Sequence, residues 1–303
     1  MSLSRASQVT ANSLTTVGFW ECSEIAKYIK IVAISDIIKI SFKMNLLVDV
    51  HTHLDHPLLI NKIDEIIHRA NNAGLKHIIT NGINPETNRK CLELSKKYDI
   101  VKCAMGIYPR NSLKKEIEAG DYPLKIEDFN IDDEIEFIRK NKNNIVAISE
   151  VGLDFVHAEN RQQIEDFQKM IKLSEELKKP IVVHSRKAEL KCIEALESSK
   201  NKKIVMHCFS GKKSLVKRIA DNGWFLTAPT IVVRSQQFQE LVKNVPLSQL
   251  FCETDSPYLS PYKDNPNEPA FVVESYNKIA EIKEMDINEV MNNIYMNWQK
   301  VFE

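Results

Sequence analysis

Glycine is scarce in this chain, with 8 residues among 303, and neither G-x-G-x-x-G nor a Walker loop occurs. No turn able to cradle a dinucleotide or a triphosphate can be read, so no nucleotide cofactor is expected. The six cysteines (Cys22, Cys91, Cys103, Cys192, Cys208 and Cys252) include no C-x-x-C pair. That spacing excludes a zinc knuckle and argues against a disulfide framework. Several lie in apolar runs such as Leu250-Phe251-Cys252, as expected of reduced, buried thiols in a cytoplasmic protein.

Long hydrophobic runs are missing too. The nearest, Ile25 to Phe42, is broken by Lys27, Lys30, Asp36 and Lys39, short of the roughly 20 apolar residues that a membrane span requires. Met1 to Ser13 has no basic segment followed by an apolar core, so no secretory signal is expected and no membrane partner. Finally, there is no excess of charge: 41 Lys plus Arg balance 41 Asp plus Glu. A protein wrapping duplex nucleic acid electrostatically is normally basic. Any nucleic-acid contact here must be local. The oligomeric state is not legible.

What the chain does have, with 43% apolar residues, is material for a large core. Residues 1–43 precede a second methionine, Met44, and are expected to be an appendage without recognisable chemistry. From Met44 to residue 303, short β-branched runs alternate with helical periods. The strands are expected at Leu46 to His51, Lys76 to Asn81, Ile100 to Ile107, Asn144 to Glu150, Ile181 to His184, Lys203 to Phe209, Trp224 to Ala228 and Leu250 to Asp255. Alternation argues a parallel sheet, and eight strands close a (β/α)8 TIM barrel; an open doubly wound sheet is the alternative. Asn111 to Asp128 reads as a long polar connection over the barrel mouth, and Ser256 to Pro269 as an irregular loop. Two terminal helices, Phe271 to Ile282 and Asp286 to Phe302, should end the fold.

The polar residues fall where such barrels hold their active sites, at the C-terminal strand ends. Strand residues alternate faces, so Asp49, His51 and His53 point one way and Val48, Val50 and Thr52 the other. Strand four ends in Glu150, strand five in His184, strand six in His207 and strand eight in Asp255. One such ending could be a satisfied core residue. Five that converge fit a pair of divalent metals sharing a ligand, with Zn, Mn or Mg as candidates.

The blocks D-V-H-T-H-L-D, S-E-V-G-L-D-F, V-V-H-S-R, M-H-C-F-S-G and E-T-D-S-P-Y-L together resemble the TatD family of metal-dependent deoxyribonucleases in the amidohydrolase superfamily. The likeness covers Met44 to Phe302. It implies a TIM barrel with two divalent ions, His51, His53, Glu150 and Asp255 on the first, Glu150 bridging, and His184 and His207 completing the second. It implies cleavage of DNA phosphodiesters through a metal-bridging hydroxide, with Asp255 accepting and returning a proton. The expected partner is DNA, as single strands or frayed ends. Asp49 either orients a histidine or is a buried acid satisfied by backbone donors.

The chain departs from the family pattern twice. Tyr108 stands in Gly106-Ile107-Tyr108-Pro109 where a histidine is common, and Pro266-Asn267-Glu268-Pro269 lacks an arginine. Substrate contacts are expected from Tyr108, Tyr258, Arg186 and Lys212, with a surface arginine at a helix start and a solvated lysine as the alternatives for the last two. The phosphate contact of the absent arginine is either missing or supplied by Lys263 or Arg186. Phe155 either stacks on a base or packs under a loop, and Asp55 belongs to a turn. His56 is a candidate for the substrate side. His68, His77 and His157 read as surface or helix histidines, and Trp224 as barrel wall. A D-aminoacyl-tRNA deacylase or a small-molecule ester or phosphoester hydrolase on the same barrel is the alternative function.

Overall fold

In the computed structural model, residues 46–120, 123–125 and 128–303 are described, so the expected appendage at residues 1–43 lies outside them. The described residues form one sheet of eight strands in sequence order, each pairing in parallel with the next. The strands are β1 (Leu47–Thr52), β2 (Leu75–Asn81), β3 (Val101–Met105), β4 (Ile145–Gly152), β5 (Ile181–His184), β6 (Ile204–Met206), β7 (Phe225–Pro229) and β8 (Leu250–Glu253). Helices separate them and pack outside, which makes a TIM barrel. β1 and β8 are buried along their whole length, as strands covered on both faces must be. The helices turn apolar stripes inward at three- and four-residue spacing; Ile63, Ile66, Ile67 and Ala70 form one. Trp224 is buried among the wall residues, as expected.

The barrel closes where β1 meets β8, and side chains do much of the closing. The backbone supplies Asp255 N–H to His51 O at 2.8 Å and His53 N–H to Ser256 O at 2.8 Å. Lower down, the Tyr276 hydroxyl, from the helix Val273–Lys283, accepts from Val48 N–H at 3.0 Å and donates to Val48 O at 3.1 Å. Asp49 takes Thr254 N–H on Oδ1 at 2.9 Å and the Thr254 hydroxyl on Oδ2 at 2.6 Å, and its only link to a histidine is the His51 backbone N–H at 3.3 Å. Of its two possible roles, Asp49 takes that of a buried acid satisfied by backbone and hydroxyl donors. Beyond β8, Asn267 steadies the turn itself, donating to Thr254 O, Tyr258 O and the Thr230 hydroxyl.

Two of the rare glycines sit beside the tip of β4. A methyl group at Gly106 would lie 2.5 Å from the Ser149 carbonyl carbon, and one at Gly152, whose φ is +146°, would overlap the His184 carbonyl. Only glycine lets the chain pass so close on both sides of Glu150.

Two expectations are corrected. The stretch read as a polar connection from Asn111 contains a helix, Arg110–Ala119. Leu113 and Ile117, four residues apart, dock on Ile83 and Tyr108, and Gly120 caps the helix in the left-handed region. His77 is neither a helix nor a plain surface residue: it lies on β2, stacked on Trp298 at 4.6 Å between ring centroids. The strand boundaries shift by a few residues, leaving His207 and Asp255 in the turns just beyond β6 and β8.

Tyr276→Phe keeps the ring and removes the hydroxyl, orphaning a buried N–H and a buried C=O on Val48. It is expected to cost about 2–4 kcal/mol, read as a lower urea midpoint. An unchanged midpoint would show that the seam holds without it.

Candidate metal centre

Glu150, at the tip of β4, is 3% exposed and has histidine nitrogens on both sides of its carboxylate. Its Oε2 faces His51 Nε2 at 3.4 Å and His53 Nε2 at 3.4 Å. Its Oε1 faces His184 Nδ1 at 3.0 Å and His207 Nε2 at 3.7 Å. Asp255 closes the first side, with Oδ1 3.5 Å from His53 Nε2 and 3.9 Å from His51 Nε2. The sheet order explains the convergence: β1 and β8 meet at the seam, β4, β5 and β6 are neighbours, and all the strand tips open on one mouth.

The far nitrogens fix how the rings point. His184 Nε2 meets Asp154 Oδ2 at 3.0 Å, His207 Nδ1 meets Glu253 Oε2 at 3.1 Å, and His53 Nδ1 meets Asn81 O at 3.2 Å. Each of these partners can only accept, so the far nitrogen carries the proton and the near nitrogen turns to Glu150. Glu253 is itself held on Oε1 by the Thr227 hydroxyl at 2.7 Å and Cys208 N–H at 3.0 Å.

The donor set fits divalent metal. His51 is completely buried, yet neither ring nitrogen makes a hydrogen bond, an arrangement that costs free energy unless something else satisfies them. Ligand atoms of His51, His53 and Asp255 lie within 4.8 Å of one another, as do those of Glu150, His184 and His207, and those of His51, His207 and Glu253. Electrostatics agree. Burial opposes the charge, but the hydrogen-bonded His184 ring and the nearby imidazoles of His51 and His207 hold the Glu150 carboxyl well below its ordinary value. Burial likewise pulls His53 down, and Asp255 and Glu150 outweigh it, carrying the ring up to about 9. Burial lowers His207 too, but Glu253, Asp255 and Glu150 carry it up to about 10. Without an ion these rings hold second protons against the carboxylates.

The cluster lies in a cavity of about 580 Å³, whose wall includes Tyr108, Arg186 and Tyr258. The Tyr108 hydroxyl lies 3.2 Å from Asp154 Oδ2 and 3.3 Å from His184 Nε2. Arg186 donates through Nε to Asp154 Oδ2 at 2.5 Å, and through Nη2 to Glu116 Oε1. Tyr258 packs edge-on to His53 and His56, with ring centroids 6.3 and 5.7 Å away. Lys212 and Lys263 are exposed and outside the cavity wall, Lys212 at the start of the helix Lys213–Asp221. Phe155 packs against the core, and the His56 ring accepts Leu58 N–H at the start of a short helix.

Sequence reasoning passed over three acids: Asp154, Glu253 and Glu116. Two carried a signal. Asp154 lies inside the S-E-V-G-L-D-F block, and Glu253 is two residues from Asp255 in the last strand. Glu116 carried none, since its helix was itself unexpected.

Metal titration by calorimetry tests this geometry. Glu150→Ala is expected to weaken binding by at least about tenfold at every ion site, whereas His184→Ala should spare the His51, His53 and Asp255 cluster. Ion binding should also release protons between pH 7 and 8, because His53 and His207 must lose protons that they hold up to about 9 and about 10. Affinity should therefore rise with pH over this range. A pH-independent affinity would contradict the assignment.

Comparison with known proteins agrees with the fold and with a metal-dependent hydrolase. A model of the TatD related DNase family matches residues 48–303. The chain is 36% identical over 256 residues to an uncharacterized metal-dependent hydrolase of Methanocaldococcus jannaschii, covering 84% of this chain and 96% of that one. It is 31% identical over 264 residues to human deoxyribonuclease TATDN3, covering 84% and 94% of the two chains. Among solved structures, YJJV, a TatD homolog from Escherichia coli, matches with a TM-score of 0.75 at 22% identity over 86% of this chain and 98% of that one. The family match runs from the first donor-bearing strand to the C-terminus, and the chain belongs to the TatD related DNase family of metal-dependent hydrolases.

Proposed function

We propose that this protein is a two-metal deoxyribonuclease that hydrolyses phosphodiesters in single-stranded or frayed DNA. The observation that carries the reading is the Glu150 carboxylate, with one oxygen turned to His51 and His53 and the other to His184 and His207. Zn, Mn or Mg would suit these donors, and Glu150 would serve both histidine pairs. The relationship to human deoxyribonuclease TATDN3 supports DNA as the substrate.

Bound there, divalent ions supply a water acidic enough to attack at neutral pH and positive charge to offset that of the phosphate. The chain's own residues do the rest. Asp255, in the turn beyond β8, reaches the cavity with its carboxylate 14% exposed and braced by His53. It takes the proton of the attacking water and returns one to the leaving oxygen. Asp154 and Glu253 hold the His184 and His207 rings in one orientation, with the opposite nitrogens, which would hold an ion, turned to Glu150. The Tyr108 hydroxyl can donate to a phosphate oxygen, and the Tyr258 ring offers a face to a base. Tyr108 stays neutral: burial pushes its hydroxyl well above the ordinary tyrosine value, and Glu116, Glu150 and Asp154 push the same way.

A second reading, hydrolysis of a small phosphoester, has its own support. The cavity of about 580 Å³ is the size of a small-molecule site, and neither Lys212 nor Lys263 lines it. No feature of the cavity favours a D-aminoacyl-tRNA.

Metal-stripped protein, restored with Mg²⁺, Mn²⁺ or Zn²⁺ and given end-labelled single-stranded DNA, decides between them. Metal-dependent shortening that falls at least about a hundredfold in Asp255→Asn is the expected result. Hydrolysis of a small phosphodiester with no action on DNA would move the assignment to the second reading.

A further inference from the structure

Among the described residues, the Arg186 guanidinium is the one cation on the cavity wall apart from the histidines of the metal cluster. A free arginine there would be a ready anchor for phosphate, since its fork matches phosphate oxygens. It is not free. Asp154 engages Nε, and Glu116 engages Nη2 from across the cavity. Glu116 Oε1 also lies 3.5 Å from the Tyr108 hydroxyl, itself 3.3 Å from His184 Nε2. The Glu116 carboxylate thus stands two contacts from the second histidine cluster.

Glu116 is held there firmly. Its helix, Arg110–Ala119, docks through Leu113 and Ile117 on Ile83 and Tyr108. Ser112 donates to Asp154 O at 3.1 Å, and Arg110 pairs with Asp166 at 2.9 Å. The Glu116 side chain is 17% exposed, so its charge faces the cavity with little water to screen it. With Asp154 and Glu116 sharing one guanidinium, little of its positive charge is left for a phosphate.

We propose that Glu116 is a specificity-determining residue, which caps Arg186 and admits substrates with one phosphate group in the cavity while excluding those that bring a second. The inference rests on the phosphodiesterase reading and names the substrate class of that site: a nucleotide unit whose single phosphate lies on the metal cluster. A second phosphate close by would have to displace Glu116 from Arg186 or sit against a like charge.

Binding separates this from turnover. Thymidine 5′-monophosphate and thymidine 3′,5′-bisphosphate are titrated by calorimetry into Mn²⁺-loaded protein. The unsubstituted chain should bind the monophosphate tighter. In Glu116→Gln, which keeps the side chain's shape and an oxygen for Arg186, the affinity ratio should shift toward the bisphosphate by at least about tenfold. Glu118→Gln, which removes the same charge from an exposed position on the same helix, should leave the ratio as it was. An unshifted ratio in Glu116→Gln, an equal shift in Glu118→Gln, or failure of both nucleotides to bind would overturn the proposal. If the ratio shifts but no phosphodiester is cleaved, the charge selection stands and the nuclease reading falls.

Discussion

A single buried carboxylate, placed where four imidazoles can reach it, organises the molecule. Burying Glu150 alone would cost several kcal/mol, and the barrel offsets this by bringing His51, His53, His184 and His207 within 3.0–3.7 Å of its two oxygens. That arrangement needs strand tips from opposite sides of the mouth to converge. Gly106 and Gly152 let the neighbouring chain approach on both flanks of Glu150. Shape and charge are then one constraint: the rim closes as tightly as the carboxylate needs its partners.

Around that centre lies a ring of acids, each with assigned donors. Asp154 and Glu253 orient the two histidines on one side of Glu150. Asp49, farther back, ties β1 to the turn after β8 through Thr254, which sets where His51, His53 and Asp255 meet. Glu116 reaches in from the helix that follows the tip of β3. The carboxylates thus divide the work: Glu150 and Asp255 face the cavity, Asp154 and Glu253 hold rings, Asp49 holds backbone, and Glu116 pairs with Arg186 on the cavity wall.

Most of this was legible in the sequence because strand alternation and the barrel's polarity are local rules. An apolar run ending in His184 or Glu150 announces both a strand and the direction in which its tip points. The six residues that the structure gathers at this centre, Glu150 among them, were singled out in that way, and their blocks carried the family resemblance. What escaped depends on tertiary context. The helix Arg110–Ala119 is polar on most positions, and Leu113 and Ile117 make a stripe too narrow to show before Ile83 and Tyr108 stand opposite. With the helix unseen, Glu116 could not be placed. Nor does any local pattern reveal that two acids from distant segments, Asp154 and Glu116, share Arg186. His77 belongs to β2, yet its neighbour Trp298 comes from the last helix.

The central claim is that Glu150 joins two ion sites, and anomalous scattering from crystals soaked in Mn²⁺ tests it most directly. The account predicts two peaks, one against His51, His53 and Asp255 and the other against His184 and His207, each in contact with an oxygen of Glu150. A single peak, or two peaks of which one does not touch Glu150, would contradict it.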